Sequence, residues 1–507
     1  MTDSLGFGGA YGETLTRIKA QGEEKSKLGI SALMWISHSE RPLNIDELCH
    51  ALGVQIGSPN FDAGNAPSIG TLLACCQGLV SVDKEDSTVR LIHFTLEEHL
   101  RARPELFGTP HSTMAETCLS YLNSNQIKSL PASRYLGIGG TSSPRYPNSS
   151  APFLGYSSLY SNSSSLKHSS LDSRAPLLEH SSPHSSTHPL ECSSEHSGSS
   201  SLEYSSRCSH TPLSGYLLLY SRIPSLQYPS PYPSTPFLEY ASLYWGVHAK
   251  KELSGYAKQL ALKLFDDYSS HISTKILLDA VISRPLPVNI DKPSLFSGLH
   301  SASFFGIVEI VVLLVDMEGC DINRTDCTGS TPLMWAALNG HEGVVKILLG
   351  RDDIGPDKAG VSGETPLWCA AKNGHYGVVK LLLGREGVNP DNASGSSETP
   401  LWCAAKNGHE GVVKMLLGRD DINPDKPNKY GETPLWWAAL NGHEEIVNML
   451  LRRGDVNPDR QGSDGRTPLW CAAENGHEGV VKILLGRDDI KPNKGDKYGR
   501  TALGHAA

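Results

Sequence analysis

T-P-L-W-W-A-A-L-N-G-H-E-E-I-V-N-M-L-L, residues 433–451, decides the fold. Its opening returns as T-P-L at Thr331, Thr365, Thr399, Thr433 and Thr467 and as T-A-L at Thr501, each step 34 residues. A degenerate copy, S-G-L-H-S-A, starts at Ser297, one further period upstream. A fixed period of this size marks a solenoid, whose units bury their apolar faces only against their neighbours. Within the unit, Thr433 is placed to cap a helix, and Pro434 takes the first helical position, where a missing N–H is no loss. Leu435, Trp436, Ala438 and Ala439 supply an apolar stripe, and Gly442 ends the helix. Ile446, Val447, Leu450 and Leu451 recur at helical spacing in a second helix. Residues 454–466, G-D-V-N-P-D-R-Q-G-S-D-G-R, read as a polar turn finger before the next T-P-L.

The unit resembles the ankyrin repeat, whose signature is T-P-L-H-x-A-A. Here the signature histidine is replaced by Trp368, Trp402, Trp436 and Trp470, read as structural core residues, and by Met334 in the first clear unit. The resemblance covers residues 291–507, and the chain stops at Ala507 inside the first helix of a further unit. In that architecture the finger tips and the end of the first helix line a concave, partner-binding face. Carried onto this chain, the resemblance implies Leu338, Asn339, Lys372, Asn373, Lys406, Asn407, Leu440, Asn441, Glu474 and Asn475 from the helix ends. From the fingers it implies Glu364, Glu398, Tyr430, Glu432, Asp464, Arg466 and Tyr498. The partner expected there is a protein.

Upstream, residues 23–125 read as three helices and a hairpin, with helices over Glu23–Ser39, after Asn44, and over Ser68–Gln77. The charged turn Lys84–Ser87 joins two strand-like runs, and the order is that of a winged helix. A-L-M-W-I-S-H-S-E-R-P-L-N-I-D-E-L-C-H-A-L followed by V-R-L-I-H-F-T-L-E-E-H-L resembles the winged helix named after GPI inositol-deacylase. That module follows the NACHT nucleotide-binding domain in fungal STAND proteins with ankyrin arms. P-F-L-E-Y-A-S-L-Y-W-G-V-H-A-K-K-E-L, residues 236–253, is similar to the helical segment joining module and arm, and residues 236–290 are expected to be connector and N-terminal cap. The resemblance implies a recognition arm of a fungal NLR-like receptor, located in the cytoplasm with the nucleus also open. The family's motor is missing: a phosphate-binding loop needs G-x-x-x-x-G-K-[ST], and no such string occurs. Two other readings stand beside this one, a winged-helix DNA-associated regulator and a non-functional fragment of a larger NACHT–ankyrin protein. Residues 1–22 read as a remnant linker.

Residues 132–235 are rich in Ser, Pro, Tyr and His and carry a 12-residue repeat, with Leu154, Leu166, Leu178, Leu190, Leu202 and Leu226 in phase and Leu238 continuing the series just past them. So few large apolar residues cannot offset chain entropy, so the segment is expected to be disordered. Its histidines, among them His168, His180 and His188, follow the drift of the repeat rather than metal-ligand spacing. The fold class is therefore mainly α: a winged-helix module and an ankyrin solenoid, separated by a disordered Ser/Pro/Tyr-rich insertion.

The net charge of −9, and the absence of any Lys or Arg between Arg41 and Lys84, argue against nucleic acid as a partner. No apolar run is long enough to span a bilayer, so no membrane is expected. Eleven cysteines include no C-x-x-C, and Cys369, Cys403 and Cys471 share one repeat position, which points to free thiols. His409-Glu410 opens like a zinc motif but meets Val413 where a histidine is needed. Asp421, Asn423, Asp425 and Glu432 mimic a calcium loop that has Lys426 in place of its glycine. No catalytic residue, metal or cofactor is expected, and the chain reads as non-enzymatic.

Overall fold

The architecture is that of a computed structural model, which describes residues 4–130, 234–281, 295–502 and 504. The expectations for the 12-residue repeats of residues 132–233, for residues 282–290 of the connector and for the chain end at Ala507 lie outside these residues.

The N-terminal segment departs from the sequence reading. Residues 1–22 are not linker throughout: Ser4–Lys19 form helix α1. Tyr11, Leu15 and Ile18 recur three and four residues apart, and all three are buried as α1 packs on α2 (Glu23–His38). A glycine-rich start hides this stripe, which ends only at Ile18.

The winged helix follows. Asn44 caps α3 (Ile45–Gly53) in a reciprocal box: its side chain accepts from the Glu47 N–H at 2.8 Å, and the Glu47 carboxylate accepts from the Asn44 N–H at 3.0 Å. Helix α4 (Ile69–Cys75) precedes the hairpin of β2 (Val80–Val82) and β3 (Thr88–Leu91). A short β1 (Leu43–Asn44) adds to β3, giving an antiparallel sheet of order β1-β3-β2 with Leu43 opposite Val89. Helices α5 (Phe94–Arg101), α6 (Pro110–Leu122) and α7 (Asn125–Lys128) complete the module.

The connector holds α8 (Leu238–Lys251), α9 (Gly255–Phe265) and α10 (Ile272–Val281). Helix α8 is buried on nearly every side, because it has neighbours on two of them. Toward the winged helix, Phe237 meets Trp35 with ring centroids 5.5 Å apart and Tyr121 at 5.3 Å. Toward the solenoid, Trp245 meets Phe305 of the first repeat at 5.2 Å. Gly246 is required there, since a Cβ would lie 2.2 Å from the Phe305 ring. Modules far apart in the chain thus share one continuous core.

The repeats explain themselves in the fourth unit. Thr399 Oγ1 accepts from the Trp402 N–H at 3.1 Å and caps the inner helix Pro400–Lys406. Gly408, at φ +78°, turns the chain into the outer helix Glu410–Leu417. Inner helices stack on inner and outer on outer. His409 Nε2 faces the Lys372 carbonyl at 2.9 Å, and His443 Nε2 faces that of Lys406 at 3.1 Å. His341, His375 and His477 do the same, so each N-G-H histidine fastens its repeat to the one before.

Neighbouring fingers are joined by backbone bonds, Lys429 N–H to Ser396 O at 3.0 Å and Ser463 N–H to Tyr430 O at 2.7 Å. The calcium mimic dissolves into these contacts. Asp421 pairs with Arg419 at 2.6 Å, and Asp425 with Arg460 of the next finger at 2.9 Å.

Candidate partner-binding strip on the ankyrin stack

Two of the tryptophans that replace the signature histidine, Trp402 and Trp436, keep its hydrogen bond. In the degenerate first unit the histidine survives as His300, and its Nε2 lies 3.2 Å from the Ser330 carbonyl. Trp402 Nε1–H donates to the Glu432 carbonyl at 3.1 Å, and Trp436 Nε1–H to that of Arg466 at 3.1 Å. The acceptor stands 30 residues downstream in all three cases. An indole can therefore take the histidine's place, while its larger ring fills the space beneath the inner-helix ends. All four rings are buried.

On these rings the stack sets cations. Lys372 Nζ lies 4.8 Å from the Trp368 ring centroid. Lys406 Nζ lies 5.0 Å from that of Trp402 and 3.8 Å from that of Trp437. Arg466 covers Trp470 at 4.0 Å while bound to Asp464 at 3.0 Å and Glu474 at 2.9 Å. Burial pushes the Glu398 carboxyl above its ordinary value, opposed by Lys406, Lys372 and Lys429. Burial likewise pushes Lys406 below its ordinary value, opposed by Glu398. The strip is thus a run of half-desolvated charges on an aromatic floor, and such groups gain when a partner supplies the opposite charge.

The sequence-derived positions divide on this geometry. Lys372, Lys406, Glu398, Glu432, Asp464, Arg466 and Glu474 are brought together as one polar strip, with half-buried Glu364 in the finger before it. Leu338 and Leu440 are half-buried and pack on the core. The asparagines serve the helices. Asn373, Asn407 and Asn475 donate to carbonyls four residues back at 2.9 Å, and Asn441 to the Lys406 carbonyl at 2.8 Å. Asn339 is a correction: only 6% exposed and bonded to the Trp335 carbonyl, it closes its helix and presents no binding surface. Tyr430 carries Lys429 at 5.0 Å from its ring, and Tyr498 is 70% exposed.

Three residues of the strip escaped the sequence reading: Trp437, Lys429 and Arg500, the last 5.8 Å from the Trp470 ring. A signal for Trp437 was present, since it stands where Cys369, Cys403 and Cys471 stand in sister repeats.

The α4 face of the winged helix offers no comparable surface. The residues that α4 and its ends expose are Ser68, Gly70, Thr71, Ala74 and Gln77, without a cation. Arg41 is held by Glu47 at 2.6 Å and lies over the Tyr240 ring, and Arg90 is held by Asp86 at 2.8 Å. Phosphate contacts need cations that are free to reach them. Among the described residues no helix is long and apolar enough to cross a membrane.

Two family models match the chain. Ankyrin repeats match in three copies, over residues 299–394, 386–461 and 453–507. The winged helix domain of GPI inositol-deacylase matches over residues 16–106. Among solved structures the chain is similar to the human ASB11 ankyrin repeat domain, with 27% identity over 42% of this chain and 92% of that one and a TM-score of 0.37. No curated protein matches. The chain thus joins a winged helix of the GPI-inositol-deacylase type to an ankyrin solenoid.

Proposed function

We propose that this chain is a non-enzymatic recognition arm that captures a protein ligand along the strip running from Trp368 to Arg500. The observation that carries the reading is the placement of Lys406 over two indole rings from successive repeats. Trp402 serves the core of the stack, while the ammonium above it is only half-buried and keeps part of its surface for a partner. Aromatic rings bearing cations are the kind of anchor that dominates binding energy at interfaces. The pairing of this winged helix with ankyrin repeats in one chain supports a finer reading, the sensing portion of an NLR-like receptor of the NACHT–ankyrin kind. A cytoplasmic site of action goes with that reading.

Photo-crosslinking tests the surface. A crosslinking side chain at the exposed Asn407 is expected to trap the ligand, and one at Lys380 on the outer helices is not. Lys372→Glu combined with Lys406→Glu is expected to abolish the adduct at residue 407 while the protein stays folded, as circular dichroism at the crosslinking temperature checks. Equal trapping from both sides, or trapping indifferent to the double substitution, would overturn the assignment.

A further inference from the structure

Glu40, His111 and His248 come from three separate parts of the chain and place one ligand atom each within 4.8 Å of the others. Glu40 follows α2, His111 lies in the first turn of α6, and His248 is in the last turn of α8. The two imidazoles face each other, Nδ1 to Nδ1, at 2.9 Å, and Glu40 Oε1 lies 3.9 Å from His248 Nδ1. We propose that these three residues form a divalent transition-metal site, of zinc type, that clips the winged helix to the connector.

The chemistry fits this class of ion. Two neutral imidazoles and a carboxylate suit Zn²⁺, with water in the fourth position, and are poor ligands for the all-oxygen ions Ca²⁺ and Mg²⁺. Ligand atoms around tetrahedral Zn²⁺, at bond lengths of about 2.0–2.1 Å, stand roughly 3.3 Å apart. The His111–His248 and Glu40–His248 separations of 2.9 and 3.9 Å lie on either side of that value and all three atoms lie within 4.8 Å, so the site closes by rotation of the Glu40 side chain toward the imidazoles. The 2.9 Å contact between the two Nδ1 atoms requires one of them to accept, so a ring lone pair already points into the site.

The outer partners are also in place. Tyr240 Oη meets His248 Nε2 at 2.9 Å and accepts from the Glu40 backbone N–H at 3.1 Å, so a single hydroxyl orients two of the three ligands. Metal-bound histidines are ordinarily steadied in this way through the other ring nitrogen. Lys251 binds the Glu40 carboxylate, and a carboxylate has acceptor capacity for both an ammonium and a metal. His248 is fully buried, while Glu40 reaches solvent and leaves an entry path. Only one proton can lie between the two Nδ1 atoms; metal binding replaces it, and that proton passes to Nε2 or to solvent.

The test uses the full chain and Zn²⁺ alone, titrated calorimetrically at neutral pH, with folding checked by circular dichroism. Wild type is expected to bind one more equivalent than His111→Gln, and Zn²⁺ to raise its melting temperature but not that of the variant. Glu40→Gln, at a solvent-accessible side chain, is expected to keep the fold and weaken that equivalent at least tenfold. Co²⁺ in its place should give visible bands without thiolate charge transfer, which separates this site from the cysteines. Equal stoichiometry and affinity in wild type and folded Glu40→Gln would overturn the proposal and leave an imidazole–imidazole hydrogen bond.

Discussion

The ammonium of Lys406 stands 3.8 Å from the centre of the Trp437 ring, one repeat further along the stack. Lys406 closes an inner helix, and its carbonyl receives His443 from that same next repeat. A single residue therefore couples two units through backbone and side chain. The side-chain part should appear in a double-mutant cycle. Lys406→Met, which keeps the methylenes, is expected to destabilise wild type by about 0.5–1 kcal/mol and a Trp437→Cys background by measurably less, since only the Trp402 ring at 5.0 Å is then left beneath the charge. Equal losses in the two backgrounds, read from urea melts, would show that the ring does not hold the charge.

Trp402 serves both packing and hydrogen bonding. Trp402→Ala is expected to cost about 3–5 kcal/mol as a large-to-small change in the core. Trp402→His should cost about 1 kcal/mol less, because an imidazole N–H can still meet the Glu432 carbonyl, as His300 meets that of Ser330. Chemical denaturation of the two variants side by side decides this. A histidine variant as unstable as the alanine would mean that ring volume alone matters.

Ser397 holds φ +62° where the other fingers have Gly329, Gly363, Gly431 and Gly465, all with positive φ. A side chain in the left-handed region is strained by roughly 1–2 kcal/mol. Ser397→Gly is accordingly expected to stabilise the stack by about 1 kcal/mol, once the greater freedom of glycine in the unfolded chain is offset. The reverse holds at Gly408, where an added Cβ would meet the His443 ring at 2.8 Å. Gly408→Ala should lower the melting temperature, and parity with wild type would contradict the ladder's geometry.

His341 joins the connector to the ladder, with Lys250 Nζ 3.1 Å from its Nδ1 and the Phe304 carbonyl 2.8 Å from its Nε2. Burial, and then the Lys250 charge, lower its proton affinity to about 3, against 6.5 for a free histidine. Between those values the unfolded chain takes up a proton that the folded one refuses. This contribution to stability is whole above pH 6.5 and drains away as the pH falls toward 3. Half-buried Glu398 and Asp391 are shifted upward by desolvation and act in the opposite sense, so the prediction concerns a difference. His341→Gln, whose amide can still donate to Phe304, should lose less melting temperature than wild type between pH 7 and pH 5. Parallel pH profiles would sink the assignment.

Much of the solenoid was legible in the sequence because its information is local and repeated. Thr433 before Pro434, the glycine after each inner helix, and Leu450 beside Leu451 each act within one turn of their own position. The 34-residue period then multiplies a weak signal until it is unambiguous. The strip was half legible: helix ends and fingers could be named, but not that the asparagines face back into the helices while Lys406 lies on Trp437. Helix α1 was hidden because glycines surround its apolar stripe.

By itself, then, the sequence determined the repeat, the winged helix and the net charge of −9. Those follow from spacing, capping and composition, which act over a few residues. Only the tertiary structure decided that Phe237 completes the core begun by Trp35, and that Glu40, His111 and His248 meet at one point. Such meetings depend on how helices distant in the chain settle against one another. No periodicity records that, because burial drives the association without regard to sequence separation.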